Sequence, residues 1–141
     1  MGCLYNSKHL TNRILLLQKR AVRVICNQSY LSHTKPLFTK LNILPFNLLY
    51  QFYLGVFMYS YYHDLLPSSF KNLFQCNIDV HSYNTRFASD TRAVYGRTVF
   101  VNSLFLCQGP LFWNKLPVAI KNCNTLNTFK RSLKAHLIQY I

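Results

Sequence analysis

Lysine and arginine are the residues of this sequence whose chemistry most clearly indicates a partner. The 141 residues include 16 Lys and Arg but only three acids, which gives a formal net charge of +13. Such a surplus on a small chain favours an anionic partner, because the charges otherwise repel one another. Nucleic acid is the commonest such partner and an anionic membrane the second, while a solvated basic surface from biased composition is the neutral explanation. We therefore expect RNA or DNA as the partner and do not expect a membrane.

The candidate binding residues are basic or aromatic and fall in three stretches of the chain. A guanidinium pairs with phosphate oxygens, and a tyrosine ring can stack on an unpaired base. The alternatives are that the basic side chains form a solvated face, and that Tyr83 packs on the domain while Arg86 braces its loop. The candidates are Arg13, Lys19, Arg20, Arg23, Tyr83, Arg86, Arg92, Arg97, Lys130, Arg131 and Lys134.

Catalytic chemistry is not expected from this chain alone. Its acids, Asp64, Asp79 and Asp90, stand apart, whereas metal-dependent phosphoryl transfer needs clustered carboxylates. His63 and Asp64 are adjacent, but neighbouring side chains diverge on a helix. The four glycines are scattered, so no phosphate-binding loop is predicted. We expect neither an independent enzyme nor a small-molecule substrate.

Cysteine usage predicts free thiols and no bound metal or other cofactor. The five cysteines are widely spaced, odd in number and include no C-x-x-C pair. This pattern is typical of a reducing compartment, so we expect an intracellular protein of the cytoplasm or nucleus. The apolar stretch Phe46–Tyr62 is interrupted by polar residues and therefore predicts a buried helix rather than a membrane span.

Helices should position most of the basic residues. The apolar spacing predicts a first helix over Leu10–Asn27, capped by Thr11 or Asn12, with its apolar stripe turned to the core. A short helix from Pro36 to Leu41 should precede a long helix over Phe46–His63, which we predict to be the central buried element. The stripe of the first helix is Leu10, Ile14, Leu17, Ala21, Val24 and Ile25.

The C-terminal half should be assembled around the only tryptophan, Trp113. The Val-, Phe- and Leu-rich stretch Thr98–Gln108 predicts a strand or a small hairpin. Gly109-Pro110 should turn the chain and let Pro110 open a short helix. An amphipathic helix capped by Asn124 or Thr125 should end the chain. The predicted fold class is thus mainly α: a small helical domain around a central buried helix, with a short β-hairpin or strand pair before a C-terminal amphipathic helix.

An ordered set of short motifs runs through residues 10–140. It resembles the C-terminal end of reverse transcriptases from LINE-type (non-LTR, jockey-like) retrotransposons. Each motif is weak alone, whereas the order of the whole set is fairly specific. The motifs are Leu17–Ile25, His33–Phe38, Leu41–Pro45, Leu65–Phe70, Tyr83–Arg86, Gly109–Pro117 and Phe129–Lys134.

The resemblance implies an origin and a division of the chain. Residues 1–30 would hold the last helix of the polymerase thumb, and residues 31–141 would form the post-thumb region. The Tyr-Ala-Asp-Asp motif of the family's palm and the family's endonuclease are absent from this sequence. The chain would then be a non-catalytic, nucleic-acid-binding fragment of an RNA-directed DNA polymerase, separated from its upstream polymerase domain. One alternative is an inactive structural remnant whose first helix exposes its Leu/Ile stripe and tends to aggregate. A weaker alternative is a membrane-surface protein.

Overall fold

The described part of the chain is built from helices. The computed structural model describes residues 2–80 and 86–140. This confirms the mainly α class. In chain order the elements are α1 (Gly2–Ile25), α2 (Lys35–Leu41), α3 (Phe46–Tyr62), a 3-10 turn (Ser68–Phe70), α4 (Asn77–Val80), α5 (Val99–Ser103), α6 (Phe105–Lys115), α7 (Val118–Lys121) and α8 (Leu126–Gln139).

The β-hairpin predicted within Thr98–Gln108 is wrong. This stretch contains α5 and the start of α6, and the described residues hold only an isolated bridge between Cys76 and Thr91. The Thr98 hydroxyl accepts a hydrogen bond from the Val101 amide at 3.2 Å, which caps α5. Asn102 accepts from the Gly96 amide at 2.7 Å and donates to the Gly96 carbonyl at 3.1 Å. These local side-chain bonds outweigh the strand preference of the apolar residues.

Gly109-Pro110 lies inside α6 and does not turn the chain as predicted. The helix is instead flanked by Leu104 and Leu116, whose backbones are extended. Pro110 cannot donate an intrahelical hydrogen bond. Gly109 permits close packing on α3, since a Cβ there would lie 2.8 Å from the Met58 sulfur. Packing at this point accounts for the glycine, and Pro110 lies fully buried next to it.

The chain divides into two compact units. Unit 1 comprises residues 1–52 and 132–141, and unit 2 comprises residues 53–131. The division falls within α3 and within α8, so both helices contribute to each unit. The boundary near residue 30 that the resemblance implies concerns origin and stays a prediction.

The core of unit 1 joins α1 to α2. Val22 and Phe38 are almost fully buried, at 2% and 1% exposure, and Leu37 lies with them. Gln18 fixes α1 to the start of α3, because its amide donates to the Leu44 carbonyl at 2.9 Å and accepts from the Phe46 amide at 2.8 Å. The packed face of α1 therefore contains Gln18 and Val22.

The apolar stripe predicted to face the core is exposed, which corrects the expectation for α1. Leu10, Ile14, Leu17 and Val24 are 53%, 42%, 62% and 79% exposed. The helix also begins at Gly2, well before the predicted caps. Periodicity identified a helix with an apolar side, but Gln18 and Val22 determine which side packs on unit 1.

The core of unit 2 is aromatic. Tyr59 stacks on Phe129 with ring centroids 4.3 Å apart and donates to the Cys123 carbonyl at 2.6 Å. Trp113 is buried and stacks on Tyr62 at 5.2 Å, which confirms its predicted anchoring role.

Burial of α3 is less complete than predicted. Leu54 and Met58 are buried, but Tyr50 and Tyr53 are 51% and 65% exposed. Within the described ranges, no single helix is long and apolar enough to cross a membrane. Only α2 and α3 together, bent by 47°, satisfy the length and composition criteria.

Candidate nucleic-acid interface

Two cavities in unit 1 collect basic side chains on the C-terminal half of α1. The first has a volume of about 300 Å³ and is lined by Lys19 and Lys35. Thr34, Asn47 and Tyr140 add hydroxyl and amide groups to the same cavity, and four apolar residues complete its walls. Two ammonium groups beside neutral hydrogen-bonding groups suit a phosphate, because an anion would relieve the repulsion between the lysines.

The second cavity has a volume of about 350 Å³ and is lined by Arg20, Arg23, Val24, Gln28 and Tyr30. The Arg23 Nε donates to the Ser32 carbonyl at 2.8 Å, and its guanidinium carbon lies 5.7 Å from the Tyr30 ring centre. These contacts hold the guanidinium in one place. The other four N–H donors of an arginine lie on its terminal amino groups, which can meet a phosphate.

Tyr30 presents an aromatic surface beside this guanidinium. The residue is 69% exposed. Aromatic rings next to cationic side chains are a common arrangement for single-stranded nucleic acid, in which bases stack while phosphates pair with the charges. The arrangement therefore suits a polyanion that carries aromatic bases.

The other candidate residues are distributed between the two units. In unit 1, Arg13 is exposed on α1, and Lys134 is half-buried on α8. Tyr83 lies outside the described residues. In unit 2, Lys130 is half-buried, and the exposed candidates are Arg86, Arg92, Arg97 and Arg131.

Arg92 lines a separate cavity of about 340 Å³ in unit 2. Among the described residues, Arg86 and Arg97 do not line that cavity. The predicted grouping of Tyr83, Arg86, Arg92 and Arg97 stays a prediction. The structure brings together Lys19 with Lys35, and Arg20 with Arg23.

Lys35 and Tyr30 are not among the residues predicted from the sequence for this interface. Lys35 immediately precedes Pro36, so it could have been recognised as a charge fixed at the start of α2. Tyr30 is an aromatic residue in a mainly polar connection, which is a weak signal. Folding α2 against α1 is what places these two residues near the predicted arginines and lysine.

One further lysine, Lys121, contacts the protein core rather than facing an open surface. The Lys121 ammonium lies 5.8 Å from the Trp113 ring centre and donates to the Asn114 carbonyl at 3.4 Å. Burial lowers the pKa of Lys121, and the nearby Asp90 partly opposes this effect. Lys121 therefore supports the aromatic core and is not included in the interface.

Metal-ligating side chains do not cluster in the described ranges, where no group of three or more His, Cys, Asp or Glu residues could hold an ion.

No protein-family model, curated protein or solved structure matches the chain. The proposed function therefore rests on the geometry and the chemistry of the chain's own residues.

Proposed function

We propose that this chain is a non-catalytic, nucleic-acid-binding C-terminal fragment of a retrotransposon RNA-directed DNA polymerase. The observation that carries the binding proposal is that two cavities along α1 contain basic side chains, Lys19 with Lys35 in one and Arg20 with Arg23 in the other. The ordered motifs that resemble LINE-type reverse transcriptases support the proposed origin. Binding would be driven by phosphate contacts and would depend only weakly on base sequence.

Replacement of Arg20 and Arg23 by glutamine tests the binding proposal. Each phosphate contact contributes about 0.7 to the slope of log affinity against log salt for a single strand. The double variant should therefore lower the magnitude of that slope by about 1.4 when a labelled single-stranded RNA is titrated at several salt concentrations.

The matched control replaces the exposed Lys71 and Lys115 of unit 2 by glutamine and so removes the same charge. The control should leave the slope nearly unchanged. Circular dichroism of both variants checks that the helices persist. Equal slopes for the wild-type chain and the Arg20/Arg23 variant would exclude this half of α1 as the contact surface.

The origin is tested separately from the binding activity. The genomic DNA immediately upstream of the coding sequence should contain an intact or decayed Tyr-Ala-Asp-Asp region in the same frame. Unrelated DNA at that place would contradict the proposed origin and leave the binding measurement unaffected.

An inactive structural remnant is the second candidate function. The exposed apolar stripe on α1 favours it, because a helix that has lost its packing partner exposes such a surface. A remnant would aggregate or melt without cooperativity and would show no salt-dependent RNA binding. A membrane-surface protein is the weaker third candidate, and flotation with liposomes in the absence of nucleic acid separates it from the other two.

A further inference from the structure

The exposed stripe on α1 has the spacing of a coiled-coil seam. Leu10, Ile14, Leu17, Ala21 and Val24 are separated alternately by four and three residues. In a heptad written abcdefg, this spacing puts Ile14 and Ala21 at a and the other three at d. All five side chains are exposed, so the seam lies open along about 21 Å of helix.

Arginine occupies both g positions that border this seam. Arg13 and Arg20 each precede an a residue, and both are exposed. Residues at e and g of a coiled coil pair with charges on the facing helix and determine which partner is chosen. Gln18, at an e position, is held by its bonds to Leu44 and Phe46, so the seam is open chiefly on its arginine side.

A second copy of this chain does not complement the seam. The sequence of α1 contains no acidic residue. In a parallel pair the arginines would face Gln18 and Ile25, and in an antiparallel pair they would face one another. Like charges in that position destabilise the pairing. The complementary occupant therefore carries carboxylates that α1 lacks.

A bilayer is also a poorer fit than a helix. Of the other exposed apolar residues of α1, Ile25 extends the seam by one position and Leu16 lies beyond the arginines. Charge therefore interrupts the apolar surface, whereas helices that lie in a membrane surface bury a broad, continuous apolar face. Two heptads are too short for an independent coiled coil. Here, however, unit 1 already holds α1 as a helix, so a partner would not have to order it.

We propose that α1 docks an acidic amphipathic helix of another protein, with apolar residues at its a and d positions and Glu or Asp at its e and g positions. The partner's apolar side chains would cover Leu10, Ile14, Leu17 and Val24. Its carboxylates would pair with Arg13 and Arg20. Arg20 and Val24 also line the second basic cavity, so this helix and a nucleic acid would compete for the same surface.

The probe is a fluorescent synthetic helix of about 21 residues with Leu and Ile at a and d and Glu at e and g. Anisotropy titrations with the full chain should show binding of this peptide. A peptide of identical composition but scrambled order should bind at least about tenfold more weakly, because its apolar residues cannot form a seam. A third peptide with Lys in place of Glu should not bind.

Charge reversal tests the assignment of the arginines. The Arg13→Glu/Arg20→Glu variant should prefer the Lys peptide to the Glu peptide by at least about tenfold. The matched variant Lys71→Glu/Lys115→Glu has the same net charge and should keep the wild-type preference. Leu17→Asn should weaken binding of the Glu peptide without changing the helical circular dichroism signal.

Three results would overturn the proposal. The first is equal binding of the Glu peptide and its scrambled form, which would indicate attraction by charge alone. The second is a chain dimer, seen by sedimentation, that Leu17→Asn dissociates. The third is binding to phosphatidylserine-rich vesicles that Leu17→Asn abolishes, together with no preference among the peptides. The RNA salt-slope measurement is independent of all three.

Discussion

Replacement of Phe129 by alanine is expected to lower the free energy of unfolding by about 3–5 kcal/mol, which is the usual cost of removing a large buried aromatic side chain. Phe129 is fully buried and stacks on Tyr59 at a centroid distance of 4.3 Å. It also lies 6.0 Å from the Trp113 ring. Its loss would leave a cavity between two aromatic rings, and urea titration followed by tryptophan fluorescence measures the effect.

The control for this substitution is Phe100→Ala. Phe100 is 61% exposed, so its removal should change the free energy of unfolding by no more than about 0.5 kcal/mol. Similar losses for both variants would contradict the aromatic core described for unit 2. A loss confined to Phe129 would support it.

Removal of three charges from the basic cavities is expected to weaken RNA binding by about one hundredfold at moderate salt. The variant is Lys19→Gln/Arg20→Gln/Lys35→Gln. Each phosphate contact that is lost also removes the favourable release of condensed counterions from the RNA. The three effects on the affinity therefore multiply. Equilibrium binding of a labelled single-stranded RNA, at a fixed salt concentration, measures the change.

A second triple variant controls for total charge. Lys40, Lys71 and Lys115 are exposed and line neither basic cavity, so their replacement by glutamine should weaken binding much less. If the two triple variants bind RNA equally weakly, net charge rather than these cavities accounts for the affinity.

Local sequence signals predicted several helices closely. Pro36 lies in the first turn of α2, and Asn42 ends that helix in the left-handed conformation at a φ of 50°. Pro45 precedes α3 as expected. The Thr125 hydroxyl accepts from the Thr128 amide at 3.2 Å, which confirms the predicted cap of α8. Caps and prolines act within a few residues, so their effect can be read without the fold.

Tertiary context determined the features that were predicted wrongly. The Val- and Phe-rich α5 is helical because Thr98 and Asn102 satisfy nearby backbone groups. Gly109 packs on Met58 rather than forming a turn. Amphipathic spacing on α1 indicated an apolar face, but spacing alone does not say whether the same chain covers that face.

The candidate interface was predictable only in part. Lys19, Arg20 and Arg23 were selected from the sequence, because basic residues on one helix are visible there. Lys35 and Tyr30 join them only when α2 and the preceding connection fold against α1. When two segments of the chain form a site together, the sequence pattern of one segment cannot predict all of its residues.

The salt dependence of RNA affinity for the wild-type chain tests the central claim most directly. Four phosphate contacts, from Lys19, Arg20, Arg23 and Lys35, predict a log–log slope of about −2.8 for single-stranded RNA. A slope near zero, or equal affinity for an oligonucleotide analogue with an uncharged backbone, would contradict the account.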